Sequence, residues 1–381
     1  MLIPVVLAAA LMNAAMVAAS AVSTILISDK LSPGLAGLPN TAGVLGTAAG
    51  ALAVGKWTAR RGRAQALRTG YGVGVAGGAL TVLTAVGAHV SLLFVGMFLL
   101  GAGNAASLLS RYAAADAVPV ARRASAMSTV VWASTAGAAG GPFLMAPSQS
   151  FARALGLPAV AGPFLLALAA VFCALIASTY IPRARAVEVS TDGERLAAPR
   201  RTQVVLAAAV MVVGHLVMVA LMTAVPVHAH HHGAGLGALG LMLSAHTLGM
   251  FALSPLTGWS IDRFGTRPVV VAGLGLLLVS GVLITQSGPV FTPALFLLGY
   301  AWNLCYLGGS ALLVTAELES KVESSIWTVS ALATAASPWL FTLGGFSLLA
   351  TFSWLLAVPL LLLTLRRTSP ADRRQTSSIG S

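Results

Sequence analysis

The chain has 381 residues, of which 57% are hydrophobic and only 8% charged, and its mean hydropathy is +0.89. A soluble globular domain carries about a quarter of its residues charged, so a water-soluble enzyme or binding module is excluded. The net charge of +12 does not argue for nucleic acid, because the basic residues are sorted to one side of a membrane topology.

Apolar runs of about 20 residues, the length that crosses a bilayer as a helix, recur from end to end. They predict twelve spans, near 3–27, 38–56, 67–87, 91–112, 125–146, 158–181, 203–226, 236–259, 268–287, 291–314, 324–343 and 346–365. The first 28 residues hold no charged side chain and lack the basic start of a signal peptide, so they read as a retained first helix. Among Lys and Arg, only Lys30 and Arg153 fall in loops on one side, with the rest opposite or at its boundary. That bias places both termini in the cytoplasm. The longest polar break, Pro182 to Thr202, divides the chain into six-span halves over 1–182 and 203–366, with a linker at 183–202 and a polar tail at 367–381. Cys173 and Cys305 lie in apolar runs and imply no disulfide framework.

The halves share a pattern. Gly55, Arg60, Gly62 and a basic residue follow the second span; Gly258, Asp262, Arg263, Gly265 and Arg267 follow the eighth in the same frame. An internal repeat with a matching loop marks a two-half transporter. On these residues and the six-plus-six spans, the whole chain resembles the major facilitator superfamily. The resemblance implies an all-α polytopic fold of two pseudo-symmetric six-helix halves and secondary transport by alternating access. It also implies a monomer in the bacterial inner membrane. Ala59 stands where the family usually has Asp, at the counterpart of Asp262.

Other polar residues are weighed against this frame. Arg111 and Asp116 close the fourth span, where Arg111 reads as snorkelling to the interface. Gly137 to Pro142 resembles the G-x-x-x-G-P stretch of family antiporters, a pointer to export. Asn13, Asn104, Trp302, Asn303, Cys305 and Tyr306 could line a cavity or bond between helices. All ten acidic residues fall in loops, tails or helix ends, leaving His215 and His246 as the titratable groups expected at mid-membrane. No P-loop and no Ser/His/Asp constellation occurs, so neither an ATPase nor a membrane hydrolase is expected, and no resident cofactor.

Two stripes suggest a cargo. Met211, His215, Met218 and Met222 share one face of the seventh span, and Met242, His246 and Met250 share one face of the eighth. His228, His230, His231 and His232 are expected in a loop between them, as a metal entry. Thioether and imidazole donors suit Cu(I). Met218-x-x-x-Met222 and His246-x-x-x-Met250 resemble the signature of the CcoA-like branch of bacterial copper importers. The resemblance implies copper as transported substrate and a role for those four residues in handling it. That branch also includes members that look like riboflavin transporters, so a permease or exporter of a small organic molecule stays open, as does a transporter-like sensor. The short termini argue against the sensor.

Overall fold

The protein is described from a computed structural model covering residues 2–31, 35, 37–181, 201–231, 236–286, 288–313 and 315–366, with the side chains of 28, 139–143, 226, 227, 229–231, 236–240 and 338 left aside. Regular structure among these residues is helical throughout. The first half comprises α1 (Ile3–Lys30), α2 (Leu38–Arg61), α3 (Arg63–Ala85), α4 (Ser91–Asp116), α5 (Arg123–Ala154) and α6 (Ala161–Thr179). The second comprises α7 (Arg201–His231), α8 (Leu236–Phe251), α9 (Ser254–Phe264), α10 (Thr266–Thr285), α11 (Phe291–Ser310) and α12 (Ala316–Arg366). Six of these helices are long and apolar enough on their own to cross a membrane; α8 and α9, with 16 and 11 residues, are each too short alone. Of the linker expected over 183–202, only 201 and 202 are described, and they begin α7; the tail at 367–381 lies outside the described residues.

Three of the twelve expected spans depart from simple rods. The eighth is broken: α8 ends at Phe251 and α9 starts at Ser254. Pro255 explains the break, since it lacks an N–H and occupies the first turn of α9. The last two spans run together as α12, turning at Gly344 and Gly345, with Gly345 at φ +61°, a conformation glycine adopts without strain.

The repeat seen in the loops extends into the packing. Gly62 and Gly265 hold φ of +80° and +84° at equivalent turns. Gly46 lies against the Phe98 carbonyl and Gly101 against that of Gly43, with no room for a Cβ. In the second half Gly249 meets the Phe296 carbonyl and Gly299 that of His246 in the same way. Missing side chains let backbones approach where no hydrophobic effect drives helices together. Arg68 caps the end of α6 through the Ser178 and Thr179 carbonyls, and Arg267 caps α12 through those of Thr364 (3.1 Å) and Leu365 (2.7 Å). Cations at helix C-termini satisfy orphan carbonyls and suit the helix dipole.

The halves meet at the end that carries Arg60, Arg63, Arg122 and Arg263, where α2 packs on α12 and α5 on α9. Gly258 faces Ser128 and Gly55 faces Ser320, again without space for a Cβ. Asp262 of α9 caps α5 across the boundary: its carboxylate accepts from the Ala124 N–H (3.1 Å), the Ser125 N–H (2.9 Å) and the Ser125 hydroxyl (2.5 Å). A carboxylate on the free N–H groups of a helix start is worth roughly 0.5–2 kcal/mol. Asp262→Ala is therefore expected to lower the apparent melting temperature of the purified protein in detergent. Gly258→Val should lower it further, because its Cβ would strike Ser128. Gly275→Val is the control, since a Cβ there meets nothing within 4 Å. Equal effects of the two glycine substitutions would show that the contact between the halves is not stabilising.

Candidate functional site

A cavity of about 140 Å³ lies between the halves. α1, α4 and α5 contribute Asn13, Asn104, Ser107 and Ser134 interleaved with Leu108, Val130 and Val131, a wall of amides and hydroxyls among aliphatic side chains. α7, α8, α11 and α12 contribute His215, Met250, Phe251, Trp302 and Trp327, a wall of rings with one thioether. Arg111, Tyr306 and Glu323 join the two walls.

The ring wall is held rigidly. The Trp302 indole N–H donates to His215 Nδ1 at 2.9 Å. Indole nitrogen only donates, so His215 Nδ1 accepts and the imidazole carries its proton on Nε2. Trp302 stacks on Tyr306 with centroids 4.7 Å apart at 18°, and Phe251 meets it edge-on at 5.9 Å. The Trp327 indole N–H donates to Glu323 Oε1 at 3.1 Å. Each tryptophan thus has its N–H engaged and its orientation set.

The charged pair corrects two expectations. Arg111 does not snorkel: it is 1% exposed, and its Nη2 lies 2.8 Å from Glu323 Oε2. Its guanidinium sits between the Tyr112 and Tyr306 rings, 4.4 and 4.3 Å from their centroids, and donates to the Ser310 hydroxyl at 3.2 Å. Glu323, also 1% exposed, is a buried carboxylate in the cavity, where none was expected. The reason is that α12 begins at Ala316, so Glu323 is two turns inside a helix whose polar start hydropathy excludes from the span. A pair this dry is costly to form, but removing one partner costs more, roughly 3–5 kcal/mol.

The Met/His stripes are distributed differently from a facing pair. α7 packs on α12 and α11, and α8 packs on α11. α7 and α8, expected to adjoin, share little contact among the described residues, because α11 stands between them. Met211 packs on Gly309, with its sulfur 4.0 Å from the Ser310 hydroxyl. Met218 is buried in the core, and Met222 and Met242 pack partly buried against it. His246 bonds through Nδ1 to the Leu295 carbonyl at 3.0 Å, so Nδ1 carries the proton and Nε2 keeps a lone pair. Of the seven stripe residues, His215 and Met250 line the cavity.

The histidines expected in a loop lie elsewhere. α7 continues to His231, so His228, His230 and His231 are helical. His228 stacks on Phe291 at 4.8 Å and packs against Phe341 and Phe346, an aromatic cluster joining α7, α11 and α12. The side chains of His230 and His231, and the whole of His232, lie outside the described residues. No group of three His, Cys, Asp or Glu gathers in metal-binding geometry among the described residues.

Several polar candidates find definite places. Asn13, Asn104, Trp302 and Tyr306 line the cavity. Asn303 instead repairs the break in the eighth span: its amide donates to the Met250 carbonyl and the Ser254 hydroxyl, both at 2.7 Å, and accepts from the Thr257 hydroxyl at 2.7 Å. Cys305 is buried against Gly214 and Gly273. In the loop motif, Arg60 and Arg263 are exposed, and Ala59 offers no counterpart to the Asp262 cap.

Residues 5–235 match the Major Facilitator Superfamily. An uncharacterized transporter of that type from Bacillus subtilis, YdeG, is 35% identical over 322 residues, covering 79% of this chain and 75% of the relative. The riboflavin transporter RfnT of Brucella anthropi is 32% identical over 310 residues, covering 75% and 74%. Among solved structures, the superfamily transporter FucP in its outward conformation superposes with a TM-score of 0.73 at 16% identity, covering 95% of this chain and 98% of FucP. The family match, the relatives and the two six-helix halves agree: this chain belongs to the Major Facilitator Superfamily of membrane transporters.

Proposed function

We propose that the chain is a permease for a planar heteroaromatic solute of the flavin kind, carried by alternating access. The observation that supports this reading is the chemical opposition of the two cavity walls. Rings from Phe251, Trp302 and Trp327 offer stacking surfaces, and the facing edge offers the Asn104 amide and the acceptor oxygens of Asn13, Ser107 and Ser134, whose own donors bond to backbone carbonyls. A flat molecule with an apolar face and a hydrogen-bonding rim matches both. Because the indole N–H groups are engaged, the rings are already oriented and little rotamer freedom is lost on binding. The likeness to a riboflavin transporter points the same way.

Import of copper is the second reading, and a specific observation favours it. His246 holds its Nδ1 proton against a backbone carbonyl, the arrangement that turns Nε2 toward a metal. Met218, Met222 and Met250 supply thioethers on the two stripes, and His215 adds a second imidazole; the His228–His232 stretch would serve as the entry. In both readings the protein lies in the bacterial inner membrane with the termini and the arginine-rich end in the cytoplasm, an orientation that the arginine distribution supports.

The deciding experiment is uptake of labelled riboflavin and of copper by cells with and without the protein. Riboflavin uptake should rise with expression. Phe251→Leu and Asn104→Leu should each weaken it about tenfold, the loss of about 1.4 kcal/mol that one aromatic contact or hydrogen bond can supply. Met218→Leu with His246→Leu should leave it unchanged. Copper accumulation that this double variant abolishes, with no riboflavin uptake, would replace the first reading by the second. Topology is checked separately: a cysteine placed at Arg195 should react with an impermeant maleimide only in opened cells, and labelling of intact cells would reverse the orientation.

A further inference from the structure

We infer that His215 is the donor by which the cavity reads its solute: a neutral imidazole, fixed by Trp302, whose Nε2–H bonds an acceptor oxygen or ring nitrogen on the solute's edge. The inference rests on the reading of the solute as a flat heteroaromatic molecule, and it names the chemistry that molecule must present.

Most donors around the cavity are already engaged. The Trp327 N–H and the Tyr306 hydroxyl go to Glu323. Asn13 donates to the Ser134 carbonyl, Ser107 to the Ala9 carbonyl and Ser134 to the Val130 carbonyl. Arg111 is taken up by Glu323, by the Leu108 carbonyl and by the hydroxyls of Ser310, Tyr112 and Tyr306.

His215 is different. Its Nδ1 accepts the Trp302 N–H at 2.9 Å, which leaves the ring proton on Nε2. No acceptor bonds that proton among the described residues. The Glu323 carboxylate is occupied by Arg111, Tyr306 and Trp327. Among the described residues, the buried side-chain atoms that lack a partner are Tyr71 Oη and Thr135 Oγ1. His215 Nε2 is not one of them, so it is not sealed in protein but opens on the cavity that the ring lines. Water satisfies such an N–H until a solute takes its place.

The ring is also held in place. It lies against the indoles of Trp302 and Trp327, with centroids 5.9 and 5.6 Å away. Turning the imidazole over would break the Trp302 bond and leave a buried indole N–H unpaired, which is costly. A donor fixed in this way loses little freedom on binding. It also discriminates, because a solute without an acceptor there leaves the N–H dry and unpaired. His246 is the contrast: its Nδ1 bonds the Leu295 carbonyl, so its Nε2 carries a lone pair and not a proton. A metal ion needs a lone pair, which His215 in this tautomer keeps only toward Trp302. The inference therefore stands with the organic solute.

The test measures displacement of labelled riboflavin from the purified protein in lipid nanodiscs. The competitors are riboflavin itself and analogues that each lose one acceptor, by sulfur for a ring carbonyl oxygen or C–H for a ring nitrogen. The parent should bind one of these analogues about tenfold more weakly than riboflavin, the scale of one hydrogen bond. His215→Phe keeps a ring between the two indoles but has no donor. It should bind riboflavin about tenfold more weakly and that analogue as the parent does, so that the discrimination disappears. His215→Gln, whose amide N–H reaches the Nε2 position, should keep it. A parent indifferent to every analogue, or a His215→Phe protein that binds riboflavin and all analogues more weakly by the same factor, would overturn the inference and leave the flavin reading standing. A parent that binds no riboflavin would overturn both. Should His215→Phe not fold, nitrogen NMR of histidine-labelled parent decides, with His215→Gln identifying the signal. The His215 signal should show Nε2 protonated and Nδ1 bare; a proton on Nδ1 would overturn the inference without any solute.

Discussion

The two halves are joined by close glycine approaches and by buried polar contacts, and the polar ones lie where they are expensive to break. This constraint organises the molecule. A membrane-embedded bundle gains little from pressing helices together, since lipid is as apolar as leucine. Within each half, glycine against backbone supplies tight van der Waals packing, as at Gly46 and Gly249. Between the halves, Asp262 on the start of α5 and the two arginine–glutamate pairs supply the hold. An alternating-access protein needs an inter-half contact that is firm in one state and dispensable in the next. Apolar packing is poorly suited to that role, because nothing local switches it off.

The repeat makes the difference between the two latches legible. Gly55 and Ser320 stand to each other as Gly258 and Ser128 do. In the second half Asp262 crosses to α5, whose first turn has no acidic residue of its own. In the first half Ala59 has nothing to offer, but α12 carries Glu317 and Glu319 in its own first turn. Negative charge at a helix start is favourable from either source. An aspartate at position 59 would have been a third carboxylate beside those two. There Arg63 reaches across from α3 to hold Glu319, while Glu317 pairs with Lys321 on the surface. The first latch is geometric, the second ionic.

Hydropathy and the loop repeat make most of the fold legible, because span length and backbone satisfaction leave few alternatives in a bilayer. The eighth span was expected unbroken over 236–259, so neither its break at Pro255 nor the repair by Asn303 from another helix was anticipated. The site was less legible. Asn13, Asn104, Trp302 and Tyr306 stand out as polar groups within apolar runs, and they line the cavity. Glu323 did not stand out, because it follows Glu317, Glu319 and Lys321 and reads as part of a polar turn. Only helix geometry separates it from them: Glu317 and Lys321 pair in solvent, while Glu319 and Glu323 face inward. The Met/His stripes show the converse. Their spacing is real, but spacing identifies a face and not the neighbour of that face, and α11 is the neighbour of both.

That neighbour links the cavity to the latch. α11 carries Trp302, Asn303, Tyr306 and Ser310 on successive turns. Trp302 orients His215 and the ring wall, and Asn303 fixes the break that turns Met250 and Phe251 into the cavity. One turn on, the Tyr306 hydroxyl lies 3.1 Å from Glu323, and Ser310 receives Arg111. A solute resting on Trp302 is therefore separated from the Arg111–Glu323 pair by a single stacked ring, Tyr306, at 4.7 Å. Close-packed rings cannot yield continuously; they shift together or not at all. The ring wall and the Arg111–Glu323 pair thus touch the same side chain, Tyr306, and no long-range pathway through the bundle separates them.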